Sequence, residues 1–348
     1  MINTLLLRKR MKIKTAAALL CFQLVIVSCQ KEEKKTATTE TKTTNDSIKL
    51  TKTEEKIDYT NFNIFSLSTI SSAEKDSDVD IFISVSDIYK GVQPIPADII
   101  KDQKQMSFEE LQHFELDAPS RKKLLNGIHL TENDSLYIYN YQSNTLQKKP
   151  VSQLKAVAYL SPYMSDSEEV DPDSYMLGFQ VETHQKITDY DKYDNAIAYF
   201  GNKNPFVENK MKAVKWQKAG TDIPKKYFTH SKLIQGKTYQ AQYENMTYYL
   251  QDYLEEGNTV ERKLVITNDR KEKIAEKTFS LAGSDGGEFR PLYGIDADEV
   301  NASQWTGHLF KGKPPVIFGF IAQSFGCPSI SFLDKTEKDF PINCDNRH

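Results

Sequence analysis

Val79-Asp80-Ile81-Phe82-Ile83-Ser84-Val85 sets an apolar residue at every second position, the period of a strand with one face on a core. Val79, Ile81, Ile83 and Val85 share that face, and Asp80, Phe82 and Ser84 take the other. The same beat returns at Tyr175, Leu177, Phe179 and Val181, with Gly178, Gln180 and Glu182 opposite. Further strands are predicted over 136–141, 156–160, 196–200, 213–216, 239–243 and 247–250. Residues 262–267 and 274–281 flank Asn268-Asp269-Arg270, a turn-rich link that reads as a hairpin. Val316-Ile317-Phe318-Gly319-Phe320-Ile321 differs because it is apolar throughout, the pattern of a strand buried on both faces within a sheet or sandwich.

Helix signals are few and short. Ser107 with Glu110 makes a capping box before Leu111, residues 119–126 read as a helix stopped by Gly127, and Asp296 with Glu299 predicts a third that ends before Gly307. The fold class is therefore α+β, predominantly antiparallel β. The alternation is interrupted between Lys218 and Gly236, where Ala219-Gly220-Thr221-Asp222 and Ile223-Pro224-Lys225-Lys226 intervene. A boundary there divides the body into a β-rich α+β domain, 57–225, and a β-sandwich-like domain, 226–348, whose size suits that architecture. Residues 135–146 look like one strand pair of a propeller blade, but no fixed repeat period accompanies them.

The N-terminus carries a different signal. Arg8, Lys9, Arg10, Lys12 and Lys14 form a cationic block without an acid, and residues 15–27 supply a short apolar run, as in a secretory leader. The run is shorter than the roughly 20 apolar residues of a membrane-spanning helix and is interrupted by Gln23. Met11 before Lys12-Ile13-Lys14 is an alternative start to Met1. Leu24-Val25-Ile26-Val27-Ser28-Cys29 resembles the lipobox of bacterial lipoproteins. The resemblance implies a signal peptide over 1–28, cleavage before Cys29, and acylation (palmitate-type) of that cysteine. A multiply acylated cysteine suffices for stable anchoring. Residues 30–56 are rich in Lys, Thr and Glu and cannot bury enough apolar surface to offset their ordering entropy. Residues 29–56 are thus expected to be a lipidated, disordered tether. Lys31-Glu32-Glu33 resembles the surface-export signal of Bacteroidota lipoproteins, which implies an outer-membrane location facing the cell surface or the periplasm.

Charge and cysteine usage bear on partners. The chain has 45 Lys+Arg and 48 Asp+Glu, and losing the five leader cations leaves 40 against 48, a net charge of about −8. Nucleic acid and a second, electrostatic membrane contact both want a basic face, so neither is expected. With Cys21 in the leader and Cys29 lipidated, Cys327 and Cys344 are the cysteines of the body. An exported compartment is oxidising, so these two are expected to be disulfide-bonded. The alternative makes Cys327, in Ser324-Phe325-Gly326-Cys327-Pro328-Ser329, a catalytic thiolate with a histidine base.

No GxSxG elbow, HExxH, phosphate-binding glycine loop or dinucleotide fingerprint is present, so the sequence assigns no catalytic residue, metal ligand or cofactor. His113, His129, His184, His230, His308 and His348 are scattered without ligand spacing. Asp166-Ser167-Glu168-Glu169 with Asp171 and Asp173, then Asp189, Asp191 and Asp194, put carboxylates on loops. Calcium is one reading of such loops and a solvated acidic run the other. Tyr137, Tyr139 and Tyr141 share a strand face, as do Tyr239 and Tyr243, either stacking on a ligand or packed under a second layer. Two functions remain. The first is a non-catalytic envelope lipoprotein that binds a partner, with a protein or a glycan as the ligand classes, or serves a structural role. The second is a glycan-directed hydrolase using paired carboxylates from Asp285-Gly286-Gly287-Glu288 or from 296–299. Two acids about 5 to 10 Å apart in one cleft would mark the second.

Overall fold

The computed structural model describes residues 56–71, 78–91, 95, 98, 100–186, 193–228, 232–281 and 286–345. All belong to one compact unit, Glu54–His348. The expected leader, Cys29 and the tether up to residue 55 lie outside the described residues.

Nine strands form the main sheet. From edge to edge they run β10 (Met211–Ala213), β17 (Trp305–Gly307), β18 (Val316–Phe318), β20 (Ser329–Phe332) and β21 (Phe340–Asn343), then β1 (Ile64–Phe65), β9 (Ala196–Gly201), β5 (Ser135–Asn140) and β6 (Thr145–Pro150). Neighbours are antiparallel except β21 and β1, which run parallel with Ile64 opposite Ile342. Six strand spacings of about 4.8 Å would hold β5 and β17 about 29 Å apart on a flat sheet. Tyr141, one residue beyond β5, instead sets its ring 5.1 Å from Trp305 of β17 and 5.2 Å from Phe318 of β18. The sheet is therefore curled into a half-barrel.

Strand alternation sorts the side chains. Ile64, Tyr137, Tyr139, Ile197, Val316, Phe318, Ile330 and Phe332 fill the inside of the curl. The tyrosine stripe read from the sequence is thus packed core, with Tyr139 fully buried. One end of the curl is plugged by aromatic rings. Phe62 lies 4.8 Å from Tyr199 and 5.3 Å from Phe340, which in turn lies 5.7 Å from Phe310. Tyr59 joins them by donating its hydroxyl to the Lys311 carbonyl at 2.7 Å.

Two further sheets cover the outside. The alternate residues Phe65, Leu136, Ile138, Ala198 and Phe200 pack on an antiparallel sheet ordered β2 (Ser68–Ser71), β3 (Asp78–Ser84), β8 (Tyr175–Lys186), β7 (Lys155–Leu160) and β4 (His113–Glu115). Helix α2 (Ala118–Gly127) adds Leu124 and Leu125 to that core. On the other flank lies a meander of β11 (Gln217–Lys218), β12 (Ile234–Tyr243), β13 (Met246–Glu255), β14 (Asn258–Thr267) and β15 (Lys273–Ser280). Its Tyr239, Tyr248, Leu250, Leu264 and Ile266 pack on Ile317, Phe320 and Leu333. The fold is α+β, dominated by antiparallel sheets.

Several expectations meet the structure directly. Strand β18 is buried on both faces, with Val316 and Phe318 inside the curl and Ile317 under the meander. The apolar run is not one strand, however. Gly319 turns the chain at φ 89°, where a Cβ would collide with the Ser303 carbonyl, and Ile321–Ala322 becomes β19, paired with β16 (Glu288–Phe289). Strand β3 is buried on both faces rather than half-buried. Its Asp80 carboxylate is satisfied by Gln180 Nε2 at 2.8 Å and the Thr183 amide at 3.1 Å. The capping box forms at α1 (Phe108–Leu111), with Ser107 and Glu110 as its partners. The helix expected to start at Asp296 with Glu299 and end before Gly307 is absent; Asp298 instead accepts from the Asn301 amide at 3.1 Å in a turn. Strand β10 ends at Ala213 rather than continuing to 216, because the Val214 amide donates to the Gln304 carbonyl and the Trp216 amide to the Tyr293 carbonyl. The break expected near 225 holds a short helix, α3 (Ile223–Tyr227). It is no boundary between bodies. The meander begins before it, at Gln217, and the main sheet takes β1, β5, β9 and β10 from one side and β17, β18, β20 and β21 from the other. The sandwich-like element of the C-terminal part is the meander layered on the main sheet.

Cys327 and Cys344 are bonded, with Cα atoms 5.5 Å apart. The bridge clips the end of the β20–β21 hairpin where Ser329 faces Pro341. With its sulfur engaged, Cys327 is not a free thiolate.

Two carboxylates tie separate elements together. Glu132 takes both prongs of Arg121 at 2.8 Å, while that guanidinium also donates to the Leu154 and Val151 carbonyls. Glu276 receives Lys263 at 2.6 Å and Lys273 at 2.5 Å. These hydrogen bonds hold both carboxyls below the usual glutamate range. The unfolded chain then takes up these protons first as pH falls, so the stabilisation is complete above the ordinary glutamate value of 4.5 and is lost through the lowered folded values. Urea midpoints measured from about pH 6 to about pH 3 should fall on acidification. The slope should be shallower in Glu276→Gln, and an unchanged slope would contradict the assignment.

Candidate functional site

Antiparallel order brings alternate strand starts and ends together. The end opposite the aromatic plug gathers Ser66 after β1, Tyr141 and Gln142 after β5, Asn195 before β9, Ser303 before β17, Phe318 and Gly319 at the end of β18, Ser329 of β20 and Ile342 of β21. They line a cleft of about 610 Å³. One mouth of the half-barrel is thus closed by rings and the other is hollow.

The cleft floor is the end of the inner core, the buried residues Tyr141, Ile197, Phe318 and Ile342. Its rim is polar. Asn195 Nδ2 donates to Gln142 Oε1 at 2.8 Å, and Gln142 Nε2 donates to the Val300 carbonyl at 3.3 Å. This short chain of bonds ties the β5 and β9 side of the curl to the loop before β17, across the gap left by the curled edges. Val300 is exposed at the same rim.

Among the described residues two charged side chains line the cleft, Asp194 and Arg290. Arg290 follows β16, and its main chain is held at both ends. Its amide donates to the Phe320 carbonyl at 2.9 Å, and its carbonyl accepts Arg262 Nη1 at 3.0 Å. Arg262 belongs to a buried ion pair with Asp252, Nε to Oδ1 3.0 Å, with side chains 8% and 7% exposed. The Arg262 guanidinium sits 4.7 Å from the Phe289 ring centroid, and the Tyr239 hydroxyl donates to Asp252 at 3.3 Å. Burial raises the Asp252 pKa, and the Arg262 charge and hydrogen bond oppose it. Burial also pushes the Tyr141 phenol up; of the charges acting on it, Arg290 lowers it more than Asp194 raises it. Tyr141 therefore stays a neutral phenol at the floor.

Among the described residues the acids singled out in the sequence do not converge here. Among the described residues the cleft holds one carboxylate, Asp194. Glu288 and Asp296 to Glu299 lie outside its lining, while Asp189, Asp191 and Asp285 lie outside the described residues. The acidic loop is engaged locally, with Glu168 accepting from the Ser165 amide at 2.8 Å and Asp171 capping Asp173 and Ser174. Among the described residues no three His, Cys, Asp or Glu side chains lie close enough together to hold a metal ion. No histidine is among the cleft's described lining, and His113 is packed against Tyr159 at 4.6 Å. No family model, curated protein or solved structure matches this chain. What the geometry offers, among the described residues, is an amphipathic recess closed at its far end and lined by one exposed guanidinium.

Proposed function

We propose that this chain is a lipid-anchored lipoprotein of the cell envelope, placed in the outer membrane, whose body is a non-catalytic binding module with the half-barrel cleft as its ligand site. The observation that carries this reading is the hollow mouth of about 610 Å³, lined by core rings below and amides and hydroxyls above. Barrel mouths and recesses of this size take small ligands or the end of a larger one. The lipobox-like stretch ending at Cys29 supports the anchor, and the single carboxylate in the described lining favours binding over a two-acid hydrolase.

Two experiments bear on it. Cys29→Ser removes the acyl acceptor, so the protein should shift from the detergent-rich to the aqueous phase or remain unprocessed. Persistent membrane retention of a processed Cys29→Ser product would sink the anchor. For the site, Ser329 is exposed and lines the cleft, so Ser329→Trp fills the cleft without touching the core. The intact lipoprotein should retain glycans solubilised from its own envelope, and Ser329→Trp should lose most of that retention. Equal retention by both forms would show that the cleft is not the ligand site, and turnover of the retained glycan would favour the hydrolase.

A further inference from the structure

We infer that the cleft selects a saccharide bearing a carboxylate and that Arg290 is the residue that reads its charge; this rests on the cleft being the ligand site. Two other guanidiniums are engaged internally, Arg121 with Glu132 and Arg262 with Asp252. Arg290 shares their clamped main chain but, among the described residues, its guanidinium has no ion pair or hydrogen bond within the protein, and it lines the cleft. A planar guanidinium fork meets a carboxylate through two parallel hydrogen bonds, which a lysine does not reproduce.

The remaining lining says what carries the carboxylate. Half-buried Phe279, backed at 4.2 Å by the ring of Phe320, and Tyr141 supply apolar faces. Asn195, Ser303 and Ser329 supply amide and hydroxyl groups. A sugar ring matches that alternation, because it has a face of C–H groups and an edge of hydroxyls. A carboxylate presents its two oxygens in one plane, which matches the planar guanidinium of Arg290. Arg262 acts one step back as a positioning residue, through the Arg290 carbonyl.

The test is titration calorimetry on the full-length, detergent-solubilised lipoprotein with three probes: trigalacturonic acid, its neutral galactose counterpart and a sulfated galactose trimer. The wild type should bind the uronate best. Arg290→Gln should weaken uronate binding on the order of 10- to 100-fold, the cost of losing a charge-assisted pair, with its melting temperature unchanged because the guanidinium supports nothing else. Arg290→Lys should recover only part of the loss. Neutral and acidic probes bound equally, or Arg290→Gln without effect, would overturn the charge reading while leaving the cleft as a saccharide site if Ser329→Trp still abolishes binding. Preference for the sulfated trimer would overturn the choice of carboxylate. If no probe binds, the inference fails, and the wider reading stands or falls on the envelope-glycan experiment with Ser329→Trp.

Discussion

Arg262→Met is expected to lower the stability of the body by about 3 to 5 kcal/mol, because it strands a buried carboxylate. Asp252 is nearly inaccessible, and its one cationic partner is Arg262 at 3.0 Å. The same substitution takes the Nη1 donor from the Arg290 carbonyl and the cation from the face of Phe289. For a body of this size the melting temperature should drop by about 5 to 8 °C. The pH dependence supplies a second readout. Burial already raises the folded-state pKa of Asp252, and removing Arg262 raises it further. An acid with a raised folded pKa costs stability wherever the unfolded chain has lost the proton and the folded one resists losing it. That penalty is relieved as pH falls towards the ordinary aspartate value of 3.8. The deficit of Arg262→Met should therefore shrink on acidification, opposite to the effect of Glu132 and Glu276. The double variant Asp252→Leu/Arg262→Met should recover most of the loss, since an ion pair replaced whole by apolar groups is often neutral. A single variant within about 1 kcal/mol of wild type, with an unchanged slope in urea at about pH 7, would contradict this account.

Removing the disulfide through Cys327→Ser/Cys344→Ser is expected to cost about 3 kcal/mol, or roughly 5 °C in melting temperature. The bridge closes a loop with a sequence separation of 17. It also secures a hairpin whose second strand, β21, lies between β20 and β1 in the interior of the main sheet. Denatured protein should show no alkylatable thiol in the body before reduction. Full labelling of both cysteines without reductant, or a double variant as stable as wild type, would overturn the assignment.

Much of the sheet content was legible because strands announce themselves through a two-residue period and a buried central strand through its loss. Val316, Ile317 and Phe318 are apolar because both layers claim them. The disulfide was expected from the cysteine count and from the oxidising compartment that a leader-like N-terminus would imply. What was not legible is made by distant pairing. Asn343 donates to the Ile64 carbonyl across 279 positions, and nothing local says that the chain's last strand joins its first. Once that join curls the sheet, the cleft is assembled from strand ends scattered between Ser66 and Ile342, so no motif encodes it. Arg290 in Phe289-Arg290-Pro291 resembles any surface arginine until Arg262 and Phe320 are seen to hold its main chain. Asp80 read as solvent-facing because its partners, Gln180 and Thr183, lie about a hundred residues on. Pro224 read as a breaker, yet it sits in the first turn of α3, where a missing amide costs nothing.

The aromatic plug has a consequence for access. The chain enters the body at Lys56 to Tyr59, and Tyr59 and Phe62 are themselves members of the ring cluster that seals that pole. The doorway lies at the other pole, beyond the full length of the curled strands. The cleft is therefore reached from the pole away from Tyr59 and Phe62, and the packed rings bar a continuous path from that mouth through the inside of the curl.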